Sequence, residues 1–235
     1  MIITRAVNRI NRDFFPKFFF KKCSYSQSGE DILVKYIFDA LGISKPSYLD
    51  IGAHHPFKLS NTALFYATGS SGINVEPDPI LFENFKKYRT RDTNINVGIS
   101  DKNGVSKFYV MSASTLNTFS YEEAINYQKE GDYRIVSEIE ISTLTVRTII
   151  ENYANNNFPQ FLSIDAEGID ELILKSIDFE KNYPIVICIE TISFSGKGRG
   201  VKNNEIIDFL KSKNYMLYAD TNINSIFVRE NLWIR

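Results

Sequence analysis

The chain has 235 residues, 43% of them hydrophobic and 23% charged, which supports a sizeable core, excludes wholesale disorder and suits one α/β domain. A formal net charge of −1 excludes general nucleic-acid affinity, and no stretch reaches the roughly 18 apolar residues of a membrane helix or forms a signal peptide's apolar segment. With only Cys23 and Cys188, far apart and outside metal-type spacing, a cytoplasmic protein is the simplest expectation.

Residues 1–23 form a basic aromatic arm ahead of a domain spanning residues 24–235. In the arm, Arg5, Arg9, Arg12, Lys17, Lys21 and Lys22 stand against the single acid Asp13, while Ile3, Val7, Ile10 and Phe14 recur at helical spacing. Such a stretch either makes weak contact with an anionic membrane surface or packs on the domain or on a second copy in a homodimer. The pattern leaves these alternatives open.

Tyr25-Ser-Gln-Ser-Gly-Glu-Asp31 precedes a helix over Ile32–Leu41, with Ser28 its expected cap, Asp31 an imperfect capping-box partner, and Gly42 and Pro46 just beyond its end. Ser47-Tyr-Leu-Asp-Ile-Gly-Ala-His-His-Pro56 then reads as a strand ending in a tight turn, Ser60 to Tyr66 as a helix, and Gly72-Ile-Asn-Val-Glu-Pro-Asp78 as a second strand. A helix follows over Pro79–Arg89, and Asn94 to Asp101 reads as a third strand running into a polar turn. Three βα units in succession call for a parallel sheet.

Lys107–Met111 and Glu138–Ile141 are expected as an added pair of short strands flanking an aromatic segment, whose Tyr109, Tyr121, Tyr127 and Tyr133 would stack on sugar rings or close the core. Leu144–Ala154 is expected as a helix, Phe161–Asp165 as the fourth strand, Ile169–Ile177 as a helix and Ile185–Glu190 as the fifth strand, with Cys188 a core filler. The glycine-rich loop Thr191–Asn203 has the character of a mobile lid offering Lys197 and Arg199 to an acidic acceptor group, or of a solvated loop. Glu205–Lys213 is expected as a helix, and Tyr215–Ala219 and Ser225–Arg229 are joined so briefly that the last strand must be antiparallel.

Asp50, Glu76, Asp165 and Glu190 thus stand at four strand ends. In an open α/β sheet the ligand lies beyond those ends, and an acid roughly 20 residues after the glycine turn takes a ribose hydroxyl; Glu76 stands 24 residues after Gly52. The dinucleotide fingerprint is missing: Ala53, His54, His55 and Pro56 follow Gly52, so a ribose ligand without a pyrophosphate fits better than NAD. S-adenosyl-L-methionine is such a ligand. Glu76 suits its ribose, free N–H groups at Ser60-Asn61-Thr62 its carboxylate, Ser100 and Asp101 its adenine, and Asp50 its amino end, while Gly52 and Ala53 let it lie against the backbone.

In combination and in this order, Tyr25-Ser-Gln-Ser-Gly-Glu-Asp31, Leu49-Asp-Ile-Gly-Ala53, Asn74-Val-Glu-Pro-Asp78, Val97-Gly-Ile-Ser-Asp101 and Leu162-Ser-Ile-Asp-Ala-Glu-Gly168 resemble the FkbM family of S-adenosylmethionine-dependent methyltransferases, over about residues 24 to 229. The resemblance implies a class I, Rossmann-like fold: a seven-stranded, mostly parallel sheet of order 3-2-1-4-5-7-6, last strand antiparallel, with helices on both faces. It also implies O-methylation of a sugar or glycan-related hydroxyl, a cofactor contact at Pro77 beside Glu76, and a Gln27 segment closing over the cofactor. The chain departs from the family pattern after Gly52-Ala53, where His54 and Pro56 stand in place of an Asn and a second Gly.

Methyl transfer to oxygen needs the acceptor held about 3 Å from the methyl carbon and its proton removed. His54 or His55 is the candidate base, with Asp165 or Glu190 as its orienter or as the base itself. Carboxylates and imidazole could also bind a divalent ion such as Mg²⁺, although no ligand spacing demands one. Two other classes compete: an NAD-dependent oxidoreductase on a doubly wound sheet, and a non-catalytic binding protein that keeps the methyltransferase fold.

Overall fold

β1 (Tyr48–Ile51) runs through the centre of the sheet, buried at every residue. The computed structural model describes residues 17, 21–166, 168–193 and 200–233; most of the basic arm, Glu167, and Lys197 and Arg199 of the expected lid lie outside the described residues. β1 pairs in parallel with β2 (Gly72–Val75) on one side and β7 (Phe161–Ile164) on the other. Beyond β2 lies β3 (Thr93–Ile95); beyond β7 come β8 (Val186–Glu190), β10 (Asn224–Arg229) and β9 (Tyr215–Asp220). In chain order this sheet is 3-2-1-4-5-7-6. β10 is antiparallel to both its neighbours, as the short connection from β9 requires.

Alternation sorts the central strands onto two cores. Leu49, Ile51, Leu162, Ile164, Ile187 and Ile189 face one side, with α5 (Val146–Tyr153), α6 (Asp170–Lys175) and α7 (Asn204–Ser212) supplying Ile149, Ile173 and Leu210 against them. Tyr48, Phe161, Val186 and Cys188 face the other, covered by α1 (Glu30–Ala40) and α2 (Ala63–Ala67) through Val34, Phe38 and Phe65. Cover on both faces explains the near-continuous apolar runs of β1, β7 and β8, the signature of a buried parallel strand. α3 (Pro79–Tyr88) starts where Asp78 accepts the N–H groups of Ile80 and Leu81, with Pro79 at the first helical position.

The third strand departs from expectation. Only Thr93–Ile95 pairs with β2. Asn96 then donates its amide to the carbonyls of Glu76 and Pro77 at 2.8 and 2.9 Å, and the chain leaves the sheet. β4 (Gly98–Ile99) instead joins β5 (Gly104–Met111) and β6 (Ile135–Leu144) in a second, three-stranded sheet, with β6 in the middle. That sheet, a 3-10 turn at Ser114–Leu116 and α4 (Tyr121–Glu130) make up the insertion. Its small core buries Tyr109 and Tyr127, whereas Tyr121 points to solvent.

The start of α1 also differs. Its N-cap is Gly29, with φ 92°, and no side chain caps it, so Ser28 is not the cap. Asp31 turns back to accept from Ser24 Oγ at 2.6 Å and the Tyr25 N–H at 2.7 Å. Glu30 accepts the Ser28 N–H and reaches across to Thr221 Oγ1 and Asn224 Nδ2 in the β9–β10 hairpin. Acidic groups that would support a helix start instead tie the Gln27 segment down between the helix and the hairpin. Among the described residues, no helix is long and apolar enough to cross a membrane.

Candidate active site

A cavity of about 470 Å³ opens beyond the carboxyl ends of β1, β2, β7 and β8. Of the residues singled out from the sequence, Gln27, Gly52, His54, Glu76, Pro77, Asp165 and Glu190 all line it. Asp50, Ala53, His55, Asn61, Ser100 and Asp101 do not, and each of these has a visible alternative use or setting.

Asp50 is buried, with Oδ2 accepting from Thr62 Oγ1 at 2.6 Å. Burial raises its pKa against the pull of Thr62 and of the Arg89 charge. Thr62 in turn accepts from Arg89, a fully buried guanidinium that also donates to the Pro56 carbonyl, to Tyr48 Oη and to Asp92. Asp50 therefore belongs to the network beneath the β1–α2 loop rather than to the cavity wall. Asn61 is likewise buried, donating to Ser163 Oγ, and the first N–H of α2, that of Ala63, is taken by Ser60 Oγ. Ala53 is buried in the turn.

His55 Nδ1 accepts the N–H groups of Phe57 and Lys58 at 3.1 and 3.0 Å. Two donors at Nδ1 fix the ring as the neutral tautomer with its proton on Nε2, which leaves no free lone pair on either nitrogen. His55 is therefore excluded as a general base in this conformation. Ser100 and Asp101 sit in the turn after β4, their side chains bonded to each other; the cavity wall on that side is Val97, Gly98 and Ile99.

Glu76 is the buried centre of the site. Its Oε2 accepts the His54 N–H at 2.7 Å and its Oε1 the Asp78 N–H at 2.8 Å. Burial nevertheless pushes its pKa up to about 8, against those two donors, with Asp78 and Asp50 adding to the rise. His54, at φ 51°, has Nε2 3.1 Å from Ser114 Oγ, and its Nδ1 is buried without a hydrogen-bond partner. Burial above all, then the proximity of His55 and the Lys58 charge, lower its pKa, so the ring is neutral.

Asp165 follows β7 at the opposite wall. Burial, then the nearby Asp170, Asp50 and Glu30 carboxylates, raise it to about 7. Asp170 shapes that turn by accepting the N–H groups of Ala166 and Gly168. β1 approaches so closely here that only glycine fits: Gly52 has φ 73°, and a Cβ on it would lie 1.8 Å from the Asp165 carbonyl oxygen. Glu190 ends β8, and Ile192, Ser193 and Gly200 bring the base of the Thr191–Asn203 loop to the rim. That base is a short ladder, with Ile192 bridging Lys202 and the Ser193 N–H bonded to the Val201 carbonyl.

The insertion supplies the remaining wall, through Phe108, Ser114, Leu116, Asn117, Phe119 and Tyr133. Of the four tyrosines offered for sugar stacking, only Tyr133 reaches the cavity. Ser114 and Asn117 escaped the sequence reading because polar residues inside an aromatic segment carry no periodic signal.

Chemically, the arrangement suits a ribose-bearing cation. Glu76, Asp165 and Glu190 face one hollow, and among its described lining residues there is no Lys or Arg. Carboxylates held above their ordinary pKa are stabilised in charged form by a cation and repelled by a pyrophosphate. A sulfonium with an adjoining ammonium meets that condition, the backbone at Gly52 leaves room for it, and the apolar faces of Pro77, Leu81, Val97 and Ile99 suit an adenine ring. Among the described residues, no group of three or more His, Cys, Asp or Glu side chains is placed to hold a metal ion.

The family described as the methyltransferase FkbM domain matches residues 50–217, well over half the chain. No curated protein matches. Among solved structures, the chain is similar to a TehB-like SAM-dependent methyltransferase from Corynebacterium glutamicum, at 12% identity and TM-score 0.41, covering 96% of this chain and 98% of that one. It is also similar to precorrin-6y C5,15-methyltransferase from Geobacter metallireducens (11%, TM-score 0.41, 82% and 83%). A third is 1,6-didemethyltoxoflavin-N1-methyltransferase from Burkholderia thailandensis, with S-adenosylhomocysteine bound (10%, TM-score 0.41, 86% and 77%).

Proposed function

The chain belongs to the FkbM family of S-adenosyl-L-methionine-dependent methyltransferases, and from that premise we propose that it is an O-methyltransferase acting on a hydroxyl of a sugar or glycan-related small acceptor. The observation that carries the reading is that Glu76, after β2, shares one cavity with Asp165 and Glu190, which follow β7 and end β8 on the other side of β1. One carboxylate suits ribose hydroxyls, two suit a polyhydroxylated acceptor, and the Gln27 segment at the rim suits closure over the cofactor. When bound, S-adenosyl-L-methionine supplies a methyl group made electrophilic by its sulfonium.

The chain's own residues do the rest. Glu76, its carboxylate oriented by two backbone N–H groups, holds the ribose. Gly52 keeps the β1 turn free of a side chain. Asp165, with a pKa raised to about 7, is matched to neutral pH and accepts the proton of the attacking hydroxyl. Glu190 orients the acceptor, and Tyr133 offers a ring face to it. The two unpaired cysteines, exposed Cys23 and buried Cys188, support a cytoplasmic setting.

Thermal melting with S-adenosylhomocysteine and with NAD tests the cofactor: a ligand at about 100 times its Kd stabilises by about 2.7 kcal/mol. A shift with the former is expected, and a shift with NAD alone would overturn the reading. For the chemistry, Asp165→Asn should lower methyl transfer from radiolabelled cofactor to sugar hydroxyls by about 10²–10⁴-fold while S-adenosylhomocysteine affinity is retained. Label moving to amine acceptors and never to hydroxyls would rule out O-methylation.

A further inference from the structure

We infer that Asn117 is a positioning residue for the cofactor, so that the insertion completes the cofactor site; this rests on the reading of Glu76 as the ribose acceptor. The two backbone donors that orient the Glu76 carboxylate belong to His54 and Asp78. The side chains of both are held by one short segment of the insertion. Ser114 Oγ meets His54 Nε2 at 3.1 Å, and Asn117 Nδ2 donates to Asp78 Oδ2 at 2.9 Å.

The amide of Asn117 can sit only one way round. Its Oδ1 accepts the Met111 N–H at 2.8 Å, so its nitrogen must face the carboxylate. The other oxygen of Asp78 caps α3 through Ile80 and Leu81. Asn117 thus fixes Asp78 between a helix start and the edge of the second sheet, and Asp78 fixes Glu76. Ser114 and Asn117 also line the cavity beside Glu76. The buried, unpartnered Nδ1 of His54 lies within the same cluster. Together these groups form one frame around the position that the ribose hydroxyls would take.

Calorimetric titration of the full chain with S-adenosylhomocysteine tests this. Asn117→Asp sets a carboxylate against Asp78 where a donor stood, while Asn117→Leu removes the bond and adds no charge. At about pH 8 both should bind about tenfold more weakly or worse, the worth of a hydrogen bond to a charged group. As the pH falls towards about 5, a proton shared between the introduced carboxyl and Asp78 restores the bond, so the Asn117→Asp deficit relative to wild type should shrink while that of Asn117→Leu persists. The other titratable groups around the position, Glu76 and His54, are common to every variant, so their own titration cancels in the ratio.

Wild-type affinity in Asn117→Asp at about pH 8, or a deficit that does not move with pH, would overturn the inference. Should neither Asn117 variant fold, Ser114→Ala at the exposed end of the segment decides: a severalfold loss of affinity supports the frame, and no loss overturns it. If the wild-type chain binds no S-adenosylhomocysteine at all, the cofactor reading itself falls and the inference falls with it.

Discussion

At Gly52 the chain turns with φ 73°, and a Cβ there would be driven into the Asp165 carbonyl. A left-handed residue with a side chain costs roughly 1–2 kcal/mol before any clash is counted, and backbone oxygen has nowhere to yield because the Asp165 N–H is bonded to the Ile51 carbonyl at 3.0 Å. Gly52→Ala should therefore lower the unfolding free energy by more than about 2 kcal/mol, and urea denaturation would show it. Because Gly52 lines the cavity where the cofactor lies against the backbone, cofactor affinity should fall with stability. A Gly52→Ala protein with wild-type stability and binding would mean that β1 and β7 do not meet in this way. The same closeness explains why a lone Gly-Ala pair serves here without the dinucleotide glycines: the backbone has to make room once, not cradle a pyrophosphate.

Among the elements, the β1–α2 loop depends on a single buried cation. The side chains of Arg89 and Asp92 are both fully buried, 2.8 Å apart, and Asp92 also accepts from Tyr48 Oη, the Gly72 N–H and Asn74 Nδ2. Arg89→Met leaves Asp92 charged and buried without its partner, a change that costs about 3–5 kcal/mol in such pairs; chemical denaturation should register a loss of that size, and a loss below about 1 kcal/mol would show the pair to be solvated. The sequence made β1, β7 and β8 readable because strands covered on both faces are apolar throughout, and their terminal acids marked the site. It did not reveal Arg89, a charge with the same appearance as any exposed helix-end arginine. It also concealed the break at Asn96, since Ile95, Val97 and Ile99 continue the strand pattern while one side-chain amide redirects the backbone to a second sheet. Ser28 and His55 misled for a related reason: each is a residue type that suits the role expected of it, and a tertiary partner had already claimed the local geometry.

For the whole molecule, folding, binding and protonation are linked. Glu76 has its pKa raised from 4.5 to about 8 and Asp165 from 3.8 to about 7, so the folded chain holds these protons more tightly than the unfolded chain does. The stability contributed is complete below the ordinary values and is lost as pH rises to about 7 for Asp165 and about 8 for Glu76, at up to about 1.4 kcal/mol per pH unit for each group while it titrates. A bound sulfonium reverses the balance by favouring the charged carboxylates. The melting temperature of the free protein should therefore fall between about pH 5 and 8, and the rise produced by saturating S-adenosyl-L-methionine should grow over the same window. Glu76→Gln should melt with a shallower pH dependence and show a smaller, flatter ligand shift, because it can neither bind nor release that proton. A ligand shift independent of pH in the wild-type chain, measured by differential scanning calorimetry across the window, would mean that the strand-end carboxylates do not meet the cation, and the site would then have to be sought away from the carboxyl edge of the sheet.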